Sequence, residues 1–355
     1  MLQQSDQAVQ FLQPDGSLSD QGRPVWESLS SEMKRKFYEG MVLARTMDRR
    51  SVILQRQGQI GTYAPLEGQE AAQVGSALAL AKEDWIFPSY RDHGAAMIAG
   101  MPLDRILFYW MGRVEGNIAP KGVRILPPCV PIATQLPQAV GTAWAAKWRG
   151  ESSVAVAYFG DGATSEGDFH EALNFAGVFR LPCIFFCQNN HYAISVPFSR
   201  QSATATVAEK ARAYNLPGVR VDGNDVVAVY DVMRKALNRA RRGEGATLIE
   251  AVTYRKGSHT TADDAKRYRN RDEVKEWERR DPLQRLEKRF LIDGTLTRGQ
   301  VETCHRRCRE EVDKAWKKAS QAKKAPPTHL FAHVYQSLPA ELKRQRAQVE
   351  GEAHG

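Results

Sequence analysis

Between residues 150 and 255 the chain alternates short, wholly apolar runs with stretches of helical periodicity. Val154-Ala155-Val156-Ala157-Tyr158-Phe159 is a continuous apolar run of buried-strand type. Gly160-Asp161-Gly162 breaks it, and Phe169, Ala172, Leu173 and Ala176 then fall at helical spacing. Ser165 is the expected N-cap of that helix, with Asp168 three residues later. Leu181-Pro182 stops the helix, and Cys183–Cys187 predicts the next buried strand. A helix over Val207–Tyr214, a strand over Val219–Val221, a helix over Val226–Arg242 and a strand over Thr247–Val252 continue the rhythm. Strands alternating with helices predict an α/β fold, a mostly parallel sheet with helices on both faces.

The flanks read differently. Residues 1–30 are polar, with a Pro14-Asp15-Gly16 turn, and predict an N-terminal arm. Ser30 or Ser31 can cap a helix in which Met33, Phe37, Met41, Ala44 and Met47 share a face; Gly58 ends it after about Gln57. From about 272 to 323 the pattern is charged and helical. Pro326-Pro327 breaks it, and a last helical stretch leads to a polar tail. The expected division is an arm (1–30), one domain (31–325) and a C-terminal tail (326–355).

Composition narrows the classes. Of 355 residues 42% are hydrophobic and 26% charged, the balance of a globular protein. No run of 18 apolar residues occurs, so no spanning helix is expected and no membrane partner. The first residues carry no basic stretch leading into an apolar core, so no secretory signal is expected. The net charge of +9 is spread over amphipathic helical segments such as Arg234–Arg242 and Arg306–Lys324, the latter mixed with Glu and Asp. Solvated faces or an acidic partner subunit explain that better than nucleic acid. Five cysteines without a CxxC pair argue against a disulfide framework or a zinc site, and point to a reducing cytoplasm. Cys183 and Cys187 read as core fillers; Cys304 and Cys308, one helical turn apart, lack a four-ligand set.

The strongest chemical signal is Gly160-Asp161-Gly162 followed by Asn189-Asn190. Asp161 and Asn190 stand 29 residues apart, room for one turn, one helix and one strand. Consecutive parallel strands joined this way are commonly neighbours. Both polar groups then arrive at the carboxyl edge of the sheet, where open α/β sheets bind ligands. A carboxylate and an amide oxygen suit a hard cation such as magnesium, which takes its remaining oxygens from phosphate and water. The flanking glycines allow backbone to approach phosphate closely. Other nucleotide signatures fail: GxGxxG would need glycine where Ser165 stands, and no GxxxxGK[ST] occurs.

This pattern resembles the thiamine-diphosphate motif. Further blocks are similar to the alpha subunits of 2-oxo acid dehydrogenases. They are Gln57-Gly58, Thr62-Tyr63-Ala64-Pro65, Gly68-Gln69-Glu70, Tyr90-Arg91-Asp92-His93-Gly94 and Ala133-Thr134-Gln135-Leu136-Pro137-Gln138-Ala139. The FFCQNNHYAIS run from Phe185 to Ser195, Val221-Asp222-Gly223-Asn224-Asp225 and the stretch Gly257–Asp264 complete the set. They occur in family order from about residue 35 to 335.

The resemblance implies a thiamine-diphosphate-binding fold and a set of roles. Magnesium would be held by Asp161, Asn190 and the main-chain oxygen of Tyr192. Tyr90 and Arg91 would contact the cofactor, Arg91 at the diphosphate, where a planar guanidinium fits. The plain alternative for Arg91 is a surface ion pair with Asp92. Gly162 and Ala163 would offer backbone contacts to the diphosphate. Ile132 matches the aliphatic wedge that keeps the cofactor bent, and Ile194 matches a residue lining the aminopyrimidine; ordinary packing is the alternative for both. Branched-chain relatives have Ser-Pro-Leu where this chain has Val130-Pro131-Ile132, so that serine hydroxyl is absent. His259 matches a histidine that touches the diphosphate and helps pass the acyl group onward. Thr260 follows it, where animal enzymes carry a regulatory serine. His93 is a candidate supporting residue; His191 is expected at the surface and His170 to be structural.

The glutamate that activates the cofactor lies on a separate beta subunit in this family. An α2β2 heterotetramer with sites at α–β interfaces is therefore implied, handing its acyl group to the lipoyl acyltransferase component of the complex. The small 2-oxo acid substrate is expected to be pyruvate, with branched-chain 2-oxo acids and acetoin as alternatives. A non-catalytic binding or scaffolding subunit is the reading from another class.

Overall fold

The computed structural model describes residues 7–352 except 324 and 333. Residues 1–6 of the expected arm and 353–355 of the expected tail lie outside the described residues. Helices α1 (Gly22–Ser28) and α2 (Ser31–Arg56) precede α3 (Glu70–Ala77), strand β1 (Trp85–Phe87), α4 (His93–Ile98) and α5 (Leu103–Trp110). The centre runs α6 (Gln135–Trp148), β2 (Ala155–Gly160), α7 (Gly167–Val178) and β3 (Cys183–Asn189). A small hairpin, β4 (Tyr192–Ala193) and β5 (Val196–Pro197), leads to α8 (Phe198–Gln201). Then come β6 (Gly218–Asp222), α9 (Val226–Arg241) and β7 (Thr247–Val252). Helices α10 (Arg271–Arg279), α11 (Pro282–Asp293), α12 (Arg298–Ser320) and α13 (Ala340–Glu352) close the chain.

The main sheet has the order β1-β2-β3-β7-β6, and each of its pairings is parallel. Side chains alternate between its faces. From β2, Val156 and Tyr158 enter the core beneath α2, α3 and α9, whereas Ala155, Ala157 and Phe159 enter the core beneath α6 and α7. This explains the continuous apolar runs: both faces are covered, so no position along a strand can be polar without cost. Cys183 and Cys187 are buried free thiols in the second core. Cys304 and Cys308 are buried in the first, also as free thiols. Among the described residues no helix is long and apolar enough to cross a membrane.

The ends of α2 follow the expected chemistry. Ser30 caps it by accepting from the Met33 N–H at 3.1 Å, Phe37, Met41, Ala44 and Met47 are buried, and Gly58 takes φ +70° beyond its end. Two local expectations fail. Ser165 does not cap α7: it ends a 3₁₀ turn spanning Asp161–Ser165, and Glu166 stands at the cap without a side-chain hydrogen bond. That turn is held by Thr164 Oγ1, which donates to the Asp161 carbonyl at 2.9 Å. The segment expected as a helix over Val207–Tyr214 is 3₁₀ over Ala208–Tyr214, ending at Asn215 in the left-handed region.

The arm is bound to the sheet edge. Val9 pairs in parallel with Val221, and both oxygens of Asp225 are used. One accepts from the Phe11 and Leu12 amides at 2.7 Å each, and the other caps α9.

Candidate active site

Strands β2 and β3 end side by side, as their spacing implied, with Gly160 in register with Gln188. The loops beyond them open into a cavity of about 490 Å³. All ten residues expected at a cofactor site line it: Tyr90, Arg91, Ile132, Asp161, Gly162, Ala163, Asn190, Tyr192, Ile194 and His259. They come from five separate segments, which only the fold brings together.

Asp161 follows β2 directly and is 1% exposed. Burial raises its carboxyl pKa, against hydrogen bonds that favour the ionised form. Gln201 Nε2 donates to its Oδ2 at 2.9 Å. Asn190, just past β3, is buried with its Nδ2 on Gln69 Oε1 at 3.2 Å, while its Oδ1 faces the Tyr192 N–H at 3.4 Å. The Tyr192 hydroxyl donates to Glu273 at 2.7 Å. Gly162 packs closely here: a Cβ on it would lie 2.8 Å from the Ala193 Cβ.

Arg91 is buried and is not paired with Asp92. Its Nη1 donates to the Pro65 carbonyl at 2.5 Å and its Nη2 to the His259 carbonyl at 2.8 Å. Asp92 instead accepts from the Ser89 amide and from Gln188 Nε2. His259 shares a hydrogen bond with Tyr90 through Nε2 and the hydroxyl at 3.1 Å. Burial, then the nearby guanidinium groups of Arg91 and Arg255, push its pKa down to about 4, so it is neutral at pH 7. The loop that carries it is tied by Asp263, which accepts from the His259 amide at 2.8 Å and the Tyr268 hydroxyl at 2.5 Å.

Ile132 is 42% exposed and Ile194 57%, with Val130 beside them at 56%, an apolar rim on a polar cavity. The backbone around the cavity is strained. Ala133, His191 and Ile194 all have positive φ (69°, 73° and 55°). For a β-branched isoleucine this is a marked outlier, held by its surroundings.

Several lining residues escaped the sequence reading. Arg255 is 2% exposed, donates to the Ile194 carbonyl at 2.9 Å and the Tyr268 hydroxyl at 3.1 Å, and leaves its Nε without a partner. Burial and the neighbouring Arg91 lower its pKa to about 10. Gln69, Gln188 and Gln135 also line the cavity. Of the three other histidines considered, His93 is buried and stacked on Tyr63 (5.5 Å, 27°), outside the cavity lining. His170 Nδ1 meets the Tyr214 hydroxyl at 2.5 Å. His191 is not at the surface as expected: it is half-buried, its ring 5.2 Å from that of Trp277.

These residues fit a diphosphate with a hard cation. One buried carboxylate and one amide oxygen are available to the cation. Among the described residues Arg91 and Arg255 make hydrogen bonds to carbonyls and a hydroxyl, with no carboxylate in an ion pair with either, so both retain charge for an anion. No cluster of three His, Cys, Asp or Glu side chains that could hold a metal ion occurs among the described residues.

A parallel α/β sheet with such a cavity at its carboxyl edge defines the class, and the chain belongs to the dehydrogenase E1 component family, whose model matches residues 38–328. Within it the chain is an alpha subunit of the 2-oxo acid dehydrogenase type, in a family that depends on thiamine diphosphate. It is 45% identical over 344 residues to the 3-methyl-2-oxobutanoate dehydrogenase subunit alpha of Mycobacterium tuberculosis, covering 97% of this chain and 94% of that one. It is 42% identical over 338 residues to the pyruvate dehydrogenase E1 component subunit alpha of Staphylococcus aureus, covering 95% and 91%.

Proposed function

We propose that this alpha subunit serves the oxidative decarboxylation of pyruvate, binding magnesium and the diphosphate of thiamine diphosphate in the cavity described. The observation that carries the reading is the convergence of Asp161, Asn190, Arg91 and His259 on that cavity. When bound, thiamine diphosphate supplies a carbon nucleophile and a sink for the electrons released as carbon dioxide leaves. Asp161, Asn190 and the main-chain oxygen of Tyr192 hold the cation, which offsets the cost of ionising a buried carboxylate. Arg91, aimed by its two carbonyl contacts, meets the diphosphate. Gly162 and Ala163 bring backbone to the same group. Ile132 and Ile194 support the organic part of the cofactor. Neutral His259, oriented by Tyr90, carries a proton and helps pass the acyl group to a lipoyl acceptor.

A beta subunit completes the site in an α2β2 assembly and supplies the activating carboxylate, and the exposed rim of Val130, Ile132 and Ile194 is consistent with that cover. The five free thiols suit a reducing cytoplasm.

Pyruvate is the first reading, and Tyr109, Trp110, Val130 and Ile132 in the cavity wall offer apolar surface to a short acyl group. Branched-chain 2-oxo acids are the second reading, favoured by the 45% identity to an alpha subunit named for one. A few methylenes separate the two, worth only about 1–3 kcal/mol each in discrimination.

The test uses the chain co-expressed with its beta subunit. Decarboxylation of pyruvate and of 3-methyl-2-oxobutanoate is followed with an artificial electron acceptor. A higher kcat/KM for pyruvate is expected; the reverse moves the enzyme to branched-chain acids. Magnesium with thiamine diphosphate should raise the melting temperature of the wild-type assembly and not of Asp161→Ala. An equal rise in both refutes the cation assignment. Cofactor binding without turnover of either acid favours acetoin or a scaffolding role.

A further inference from the structure

Gln69 immediately precedes α3, and its side chain is almost wholly buried (1% exposed) in the wall of the cavity. The two ends of its amide differ. Oε1 accepts from Asn190 Nδ2 at 3.2 Å, whereas Nε2 has no hydrogen-bond partner. The orientation is fixed by a chain of donors and acceptors. The Tyr192 N–H faces Asn190 Oδ1, so the Asn190 NH₂ must lie on the Gln69 side. Gln69 must therefore present its oxygen there and turn its own NH₂ toward the cavity. A buried amide with both N–H groups unmade is costly unless something fills that place.

The support beneath Gln69 is rigid. Its own N–H donates to the Leu66 carbonyl at 2.9 Å. Gly68, on one side, donates to Glu70 Oε2 at 3.0 Å and accepts from Thr253 Oγ1 at 3.0 Å. Its φ is +104°, and a Cβ there would lie 2.1 Å from the Tyr254 carbonyl oxygen. Glu70, on the other side, is gripped by both Nε and Nη2 of Arg45, at 2.7 and 2.9 Å. Little freedom remains for the side chain to lose when a ligand arrives.

We infer that Gln69 positions Asn190 and binds the diphosphate: its oxygen locks the Asn190 amide with Oδ1 toward the cation, and its NH₂ donates to a diphosphate oxygen. This rests on the cavity being the magnesium–diphosphate site. It assigns Gln69 two jobs, which two substitutions separate. Gln69→Met keeps the volume and removes both. Gln69→Glu keeps an acceptor for Asn190 but replaces the donor by an acid.

The experiment is calorimetric titration of the α–β assembly with thiamine diphosphate in magnesium, with the unliganded melting temperature as a check on folding. Gln69→Met is expected to weaken binding about ten- to a hundredfold, the range for a lost hydrogen bond to a charged group. Gln69→Glu should weaken it at least as much. Combining Gln69→Met with Asn190→Ala should cost less than the two separate losses together, because one acts through the other. Wild-type affinity in Gln69→Glu overturns the donor role. Additive losses in the double variant overturn the positioning role, and wild-type affinity in Gln69→Met overturns both. If the wild-type assembly itself takes up no magnesium and thiamine diphosphate, the reading of the cavity falls and this inference with it.

Discussion

Gly162→Ala tests how the site is built. Gly162 lies in the turn after β2, and its backbone φ is not in the left-handed region, so an alanine meets no backbone penalty. The penalty is steric. The new Cβ would stand 2.8 Å from the Ala193 Cβ and 3.6 Å from its Cα. Carbon atoms rest at about 3.5–4.0 Å, so one partner must retreat by about 1 Å. The turn is tied down by Thr164 and by the end of β2, whereas Ala193 sits in the small hairpin between two residues of positive φ. The hairpin should therefore give way, carrying Tyr192 and Ile194 away from Asp161. Overpacking of this kind costs about 1–3 kcal/mol. Realised at the cofactor, that is about five- to a hundredfold in affinity. Calorimetric titration of the α–β assembly with magnesium and thiamine diphosphate measures it. Ala193→Gly removes the opposing methyl, so the double variant Gly162→Ala with Ala193→Gly should recover most of the loss. Normal binding by the single variant, or no recovery in the double, would refute the reasoning.

Three further outcomes are expected. Arg45→Met should destabilise the fold by about 3–5 kcal/mol, because Glu70 and Asp281, both fully buried, lose the guanidinium between them; a melting temperature within a degree or two of wild type would contradict it. Burial holds the His93 pKa down to about 3, below its ordinary 6.5, so its contribution to stability is complete above about pH 6.5 and is lost as pH falls toward 3. His93→Phe should flatten that window by up to about 1.4 kcal/mol per pH unit, and a denaturation series at stepped pH with the wild-type slope would rule this out. Ile194→Asn should raise the melting temperature of the unliganded assembly, since asparagine tolerates φ +55° better than a β-branched residue, while cofactor affinity falls; a lowered melting temperature would mean the Ile194 side chain outweighs its backbone strain.

What could be read from the sequence follows from where the information sits. β2, α7 and β3 were legible because both sheet faces are covered, so their apolar runs are unbroken and glycine or proline marks each end. Asp161 and Asn190 were legible as a pair because a fixed strand–helix–strand distance separates them, and their companions were found through motif resemblance. Gln69, Arg255 and Gln201 were not. Each is a polar residue whose importance lies in being buried against a segment distant in sequence, and nothing local signals that. Gln69 stood in a resembling block but carried no role there, and its local cue is Gly68 before it, a glycine whose backbone passes close to Tyr254. Ser165 misled because its relation to Asp168 resembles a cap, while it in fact ends the turn that Thr164 closes on Asp161. His191 misled because the ring that covers it, Trp277, arrives from a helix well beyond the sheet.

The arm at the sheet edge sets the order in which this chain can fold during synthesis. Phe11 and Leu12 are buried, but their amides need Asp225, and the Leu12 carbonyl needs Arg285, 273 residues further on. At the usual ribosomal pace of about 5–20 residues per second, that partner emerges roughly 15–55 s after the arm does. Until Val221 and Asp225 emerge the segment lacks its sheet-edge partners, and its contact with Arg285 forms later still. The core that takes Phe11 and Leu12 also takes Leu283, Leu286 and Phe290 from α11 and Cys304 and Cys308 from α12, so it is completed only after those helices are made.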